Sequence, residues 1–264
     1  MKDVTFVTSF SEAGYKQYGK AMLKSFVEHV DAKILVYYET KKKPKLAHKN
    51  IEYVSLSKVA GIINYLQAMS VFPIMKGMIG DKRYYQYDAY KFNRKIFAQC
   101  DGATKAEGIL VWIDADTVFE RDLHIDWVRD LFNEREDGLS PFCCVMKRPS
   151  FHLCASFVAW DMTHEQSLPF WNAYFDMVIS GRFLLLPEWH DSFILQAILD
   201  GMELDVNDIA QSYELGDGPV NVFNAVFKDV AVHNKGNLKN KPKLETVDDP
   251  DNEGIQEAER ATSH

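Results

Sequence analysis

Val111-Trp112-Ile113-Asp114-Ala115-Asp116-Thr117 is the stretch on which the fold turns. With Ile109 and Leu110 ahead of it, it reads as a fully apolar strand that ends in acids, the pattern of a strand covered on both faces. A spacing of two places both carboxylates on one face while the chain stays extended. In open α/β sheets ligands gather outside the carboxyl ends of the strands, which is where Asp114 and Asp116 would stand. Two hard oxygen ligands there suit Mg²⁺ or Mn²⁺ shared with a substrate diphosphate, because such ions take few protein carboxylates and complete their shell with phosphate and water. Taken alone, the same pair also fits a solvated strand end or a helix cap.

Working outward, residues 4–8 read as a buried strand, and residues 14–29 place Met22, Phe26 and Val30 at helical spacing. Residues 34–38 and 51–56 are two further β-branched and aromatic runs, separated by a Lys-rich connection. A helix is expected over residues 87–100, immediately before the decisive strand. Beyond it, residues 143–147 and 156–160 read as strands, 168–180 and 191–199 as helices, and 230–233 as a last strand. Alternating strands and helices imply an α/β domain with a mostly parallel central sheet flanked by helices. That domain is expected over residues 1–243. The remainder, 244–264, is dense in acid and poor in apolar residues, so it is expected to be a disordered tail.

The formal charge of -8 is concentrated in that tail, whose acids Glu245, Asp248, Asp249, Asp251, Glu253, Glu257 and Glu259 face one base, Arg260. The body is nearly balanced. It carries two basic clusters, Lys41, Lys42, Lys43, Lys45 and Lys49, then Lys235, Lys239, Lys241 and Lys243, which permit a phosphate-rich partner. The four cysteines, Cys100, Cys143, Cys144 and Cys154, have neither CxxC spacing nor the layout of a secreted disulfide framework, and a reducing compartment fits them best. The chain runs from Met1 straight into a strand, leaving no room for a signal peptide, so a cytoplasmic location is expected. Residues 59–79 are the most apolar stretch, but Asn64, Gln67, Pro73 and Lys76 interrupt it. Such residues are expensive inside a bilayer, so the stretch is expected to be core or a lid, with no membrane span.

The second chemical signal is Val232-His233-Asn234-Lys235-Gly236-Asn237-Leu238-Lys239. It pairs an imidazole, a common metal ligand, with an ammonium six residues later that can meet phosphate, across a glycine that lets the backbone approach closely. The bland alternative is a basic surface turn.

The two signals together resemble glycosyltransferases of the GT-A fold (Rossmann-like), most closely glycosyltransferase family 8, the glycogenin-like and lipopolysaccharide galactosyltransferase-like group. That family has an Asp-x-Asp strand, matched by Asp114 and Asp116, and a C-terminal His-x-x-Gly-x-x-Lys, matched by His233, Gly236 and Lys239. The family ending continues Lys-Pro-Trp, whereas Asn240 and Lys241 follow here. The segment Glu188-Trp189-His190-Asp191 is also similar to the Trp-His-Asp-Glu of the blood-group type galactosyltransferases, with Ser192 in place of their glutamate. The resemblance implies a metal-dependent transfer from a nucleotide-sugar, a UDP-sugar, to an acceptor hydroxyl with retention. It also implies Asp114, Asp116 and His233 on the metal and Lys239 on the diphosphate.

Further positions combine geometry with the resemblance. Thr8 and Ser9 end the first strand where base or ribose would lie, and Tyr15 or Tyr18 can stack on a pyrimidine. Lys91 and Lys95 are a helical turn apart and are expected to share a face toward the sugar or diphosphate. Asp191 starts a helix, where its carboxylate either caps it or orients an acceptor hydroxyl. Trp160, Trp189 and His190 are candidates to line an acceptor subsite, with a carbohydrate favoured as acceptor and modified nucleic acid as the other option. His152 has no partner visible in sequence. Two rival readings stand: a haloacid-dehalogenase-type phosphatase, whose first motif also runs Asp-x-Asp-x-(Thr or Val), and a non-catalytic polyanion-binding module using the lysines. Oligomeric state is not legible.

Overall fold

The computed structural model describes residues 1–40, 42–136, 138–149, 151–213, 215 and 220–233. Its first half runs β1 (Val4–Phe10), α1 (Glu12–Gly14), a π-helical stretch (Tyr15–Gly19), α2 (Lys20–His29), β2 (Lys33–Tyr38) and β3 (Ile51–Ser55). Next come α3 (Ile62–Ser70), a small hairpin of β4 (Met78–Ile79) and β5 (Lys82–Arg83), α4 (Ala89–Ala103) and β6 (Ile109–Ile113). The second half has β7 (Thr117–Phe119), α5 (Ile125–Asp130), β8 (Cys143–Arg148), β9 (Phe151–Asp161), α6 (Ser167–Ile179), α7 (Asp191–Gly201), β10 (Val206–Asp208) and β11 (Ala231–His233).

Among the described residues the central sheet has the order β10-β8-β9-β6-β1-β2-β3. Neighbours are parallel except at β9, which runs antiparallel to both β6 and β8. The chain is therefore α/β with a mostly parallel central sheet flanked by helices, as its alternation of elements implies. Side chains alternate across the sheet. Leu110 and Trp112 of β6 join Val7, Leu35 and Tyr37 under α4, α6 and α7, whereas Ile109, Val111 and Ile113 join Phe6, Phe10 and Ile34 under α2. Both faces being covered is why β6 reads as an unbroken apolar run.

The chain builds β1, β2 and β3 outward on one side of β1 and returns to lay β6 on the other, so the order reverses between β1 and β6. A crevice opens at the carboxyl ends of strands at such a reversal. Asp114 follows β6 directly and stands at that point. The register of β6 is set from behind, where Asp3 carbonyl oxygen accepts from Ile109 N–H at 2.7 Å. A Cβ on Gly108 would lie 2.4 Å from that same Asp3 oxygen, so only glycine permits the approach.

Between Val145 and Met146 of β8 the ladder to β9 jumps from Val158 to Cys154. Residues 155–157 are the surplus of this irregularity, and their backbone groups leave the β8 ladder to face β6 and α4. A short pair outside the main sheet, β7 against β11, matches Thr117 with His233.

The helix after β1 is expected as one piece but contains the π-helical stretch at Tyr15–Gly19. Of the apolar residues expected to form core or a lid, Ile62 and Tyr65 are buried, while Ile63, Val71, Phe72, Ile74 and Ile79 are exposed. Asp191 is not the cap of α7: His190 takes the N-cap position without a side-chain cap bond, and Asp191 is the first helical residue. All four cysteines are free thiols. No helix among the described residues is long and apolar enough to cross a membrane. Gly236, Lys239, the second lysine cluster and the acidic tail lie outside the described residues.

Candidate functional site

Asp114 is fixed between the end of β6, the middle of β9 and the start of β7. Its backbone N–H donates to Ser156 carbonyl at 3.0 Å, and its own carbonyl accepts from Thr117 N–H at 3.1 Å, which turns the chain into β7. Its Oδ1 accepts from Trp112 Nε1 and from Lys95 Nζ, each at 2.9 Å. Oδ2 is left facing His233, whose Nε2 lies 3.7 Å away. Asp116, two residues on, has Oδ1 at 2.7 Å from the same His233 Nε2. The β7–β11 pairing is what brings the imidazole there. His233 is almost wholly buried, with 2 % of its side chain exposed, whereas 26 % of Asp114 remains open, so the cluster has a buried floor and an accessible edge.

Asp114, Asp116 and His233 each offer one ligand atom, and those atoms all lie within 4.8 Å of one another. Neighbouring ligands around an octahedral ion at ~2.1 Å are about 3 Å apart, so two carboxylate oxygens and an imidazole at this separation fit Mg²⁺ or Mn²⁺. The donor chemistry agrees, since one oxygen of Asp114 is already committed to Trp112 and Lys95 and the other is not.

Lys95 of α4 ties this cluster to a second carboxylate. Its Nζ meets Asp114 Oδ1 at 2.9 Å, Asp191 Oδ2 at 2.6 Å and Ala155 carbonyl at 2.6 Å, above the Trp112 ring at 4.7 Å. Burial alone would lower the lysine pKa, but the Asp114 and Asp191 charges override it and raise it, keeping the ammonium charged. Burial would likewise raise Asp114, yet the Lys95 and His233 charges, with the Trp112 and Lys95 hydrogen bonds, hold it well below the usual carboxylate range. The site therefore keeps the Asp114 carboxylate ionised in a sheltered setting.

Other expected residues are distributed around this centre. Thr8 is fully buried and its hydroxyl has no hydrogen-bond partner among the described residues, while Ser9 is half-buried near the end of β1. Tyr15 is half-buried with its ring 5.1 Å from Phe10. Lys91 does not share the environment of Lys95: it is exposed and lies over the Phe92 ring at 4.9 Å. Trp160 is fully buried core. His190 is buried beside Asp191, with Nε2 at 2.7 Å from Glu188 Oε2 and its ring centroid 4.3 Å from that of His152. Burial first, then the charges of His190 and Arg148, lower the His152 pKa to about 4.

Sequence reasoning passes over three contributors. Trp112 has a readable signal, because a buried indole N–H needs a partner and Asp114 lies two residues on, on the same strand face. The carbonyls of Ala155 and Ser156 carry none, since backbone acceptors leave no mark in a sequence. Glu188 and His190 stand in a segment the sequence singles out, but the approach of His152 to them joins β9 to the loop before α7 and has no local spacing.

No protein-family model matches the chain, and no curated protein matches it. Among solved structures it is similar to the apo form of mouse xyloside xylosyltransferase 1. That match covers 78 % of this chain and 84 % of the other, at 9 % identity and a TM-score of 0.46.

Proposed function

We propose that the chain is a metal-dependent glycosyltransferase of the GT-A type, akin to glycosyltransferase family 8, that moves a sugar from a UDP-sugar to an acceptor hydroxyl with retention. The observation that carries the reading is the convergence of Asp114, Asp116 and His233 at the point where the sheet order reverses. A Mg²⁺ or Mn²⁺ ion held there supplies positive charge against a departing diphosphate. Asp114, Asp116 and His233 would hold that ion, with His233 on the buried side. Lys95 neutralises Asp114 and Asp191 at once, so neither carboxylate repels the diphosphate at full strength. Asp191, held by Lys95 through one oxygen, has the other to accept from an acceptor hydroxyl, which positions that hydroxyl without removing its proton in advance. Ser9 near the end of β1 and Tyr15 in the π-helical stretch are assigned to the nucleoside, with buried Thr8 next to Ser9. Lys239 and Gly236 are assigned to the diphosphate by the family pattern alone. A carbohydrate acceptor, a cytoplasmic location and a catalytic domain over residues 1–243 complete the reading.

The phosphatase alternative requires an Asp114 oxygen free to attack phosphorus. One is bonded to Lys95 and Trp112; the other, 3.7 Å from His233 Nε2, belongs to the three-residue cluster with Asp116 and His233, an arrangement that ligation uses and attack on phosphorus does not require. Substitution of Asp116 by Asn tests the proposal, because it keeps the size and removes the charge. Turnover of a UDP-sugar, as transfer or as slow hydrolysis, is expected to fall by about 10² or more, the usual effect of removing one preorganised charge-stabilising group. Calorimetry should show UDP binding in the wild type that requires Mn²⁺ and weakens in the variant. Metal-independent UDP binding, or normal turnover by Asp116→Asn at saturating Mn²⁺, rejects the reading, and the former outcome favours a polyanion-binding module.

A further inference from the structure

The geometry points to a second metal site, formed by His152, Glu188 and His190, for a divalent transition ion of the zinc class. His152 comes from β9, and Glu188 and His190 come from the loop that opens α7. One donor atom of each lies within 4.8 Å of the other two. A Glu188–His190 ion pair explains only two of the three. The His152 ring makes no hydrogen bond to a described residue and instead packs against the His190 ring, with centroids 4.3 Å apart and planes at 57°.

The His190 side chain and the backbone around the other two residues are held in place before any ligand arrives. The His190 ring is confined by Tyr85, Phe92 and Phe193, with centroids at 5.9, 6.0 and 6.2 Å. Its loop is pinned on both sides of Trp189, whose backbone N–H donates to Gln86 carbonyl at 2.6 Å and whose indole N–H donates to Leu186 carbonyl at 3.1 Å. On the opposite side Arg148 donates to the carbonyls of His152 and Leu153, and Leu153 N–H donates to Gln196, which fixes β9. Such rigidity in the supporting contacts is what a metal site needs.

Two imidazoles and one carboxylate make a three-ligand set that leaves the fourth tetrahedral position open, the arrangement of zinc sites that bind water or substrate. His152 and Glu188 are half-buried and His190 is buried, so the cluster can be reached from solvent. Two nitrogen donors make this set softer than Asp114, Asp116 and His233, and the two clusters are expected to sort ions, Zn²⁺ or Co²⁺ here and Mg²⁺ or Mn²⁺ there. The inference stands on its own residues and does not require sugar transfer.

The test is titration of the untagged full chain, stripped by chelator, with Co²⁺. Visible absorption reports tetrahedral coordination, and Zn²⁺ and Mg²⁺ serve as competitors. The expected result is one tetrahedral Co²⁺ per chain in the wild type and in Asp116→Asn alike, displaced by equimolar Zn²⁺ but not by excess Mg²⁺. His152→Gln and Glu188→Gln should each weaken it more than about 100-fold, beyond what loss of a merely supporting contact does. Both side chains are half-exposed, and far-ultraviolet circular dichroism checks that the variants remain folded. Absence of the tetrahedral band, its persistence in His152→Gln, or its loss in Asp116→Asn would each overturn the assignment.

Discussion

Lys95 uses its ammonium on Asp114, Asp191 and the Ala155 carbonyl, so removing it strands two carboxylates in a sheltered pocket. Breaking a buried ion pair from one side costs about 3 kcal/mol or more, because the remaining charge is left uncompensated. Lys95→Met is expected to lower the urea midpoint accordingly, and Lys95→Met with Asp191→Asn should recover part of the loss, since only one stranded charge is left. A double variant no more stable than the single one would show that charge balance is not what Lys95 contributes. Asp191→Asn alone separates two roles at this residue. Because His190 and not Asp191 occupies the N-cap of α7, the change leaves the helix start intact. The variant is expected to bind UDP normally and to transfer slowly; an unaltered transfer rate would remove Asp191 from the acceptor site.

At the scale of elements, β6 delivers Asp114, and Gly108 sets where β6 begins. Gly108→Ala would push a methyl group against Asp3 backbone, which cannot swing aside as a side chain can. A loss of about 1–3 kcal/mol in unfolding free energy is expected, with weaker metal-dependent nucleotide binding as β6 shifts. Unchanged melting would mean that the Asp3 segment relaxes freely. The run at residues 109–113 is legible because a strand buried on both faces is apolar at every position. Asp114, Asp116 and His233 are legible because their types and spacing carry chemistry. The reversed direction of β9 is not, since the same apolar alternation serves a strand running either way. The strands β7 and β10, three residues each, are too short to show a period, although the pairing of β7 with β11 is what presents His233. Periodicity also groups Lys91 with Lys95 and is blind to the change from exposed to buried along α4. The meeting of Lys95 with Asp191 depends on the packing of α4 and α7 and has no local signature.

At the scale of the whole molecule, Asp161 at the end of β9 ties in the first residues of the chain: it is bonded by Lys2 and by the N–H and hydroxyl of Thr163. Burial alone would raise its pKa, but the Lys2 and Thr163 hydrogen bonds and the Lys2 charge lower it. A depressed carboxylate stabilises the fold fully above its unfolded value of about 3.9, and that stabilisation is lost as pH falls through the folded value. Urea midpoints should therefore drop as pH falls below about 4, and Asp161→Asn should show a smaller drop from a lower start. An equal drop in the variant would assign acid sensitivity elsewhere. Trp112 has an optical consequence. Its indole N–H shares Asp114 Oδ1 with Lys95, so one of the chain's five tryptophans is bonded directly to a proposed ligand. Paramagnetic Mn²⁺ at that carboxylate should quench its fluorescence, diamagnetic Mg²⁺ should alter the emission without quenching, and Trp112→Phe should abolish both signals. The protein thus carries its own lamp beside the centre where the ion is expected, and metal arrival can be watched without any added dye.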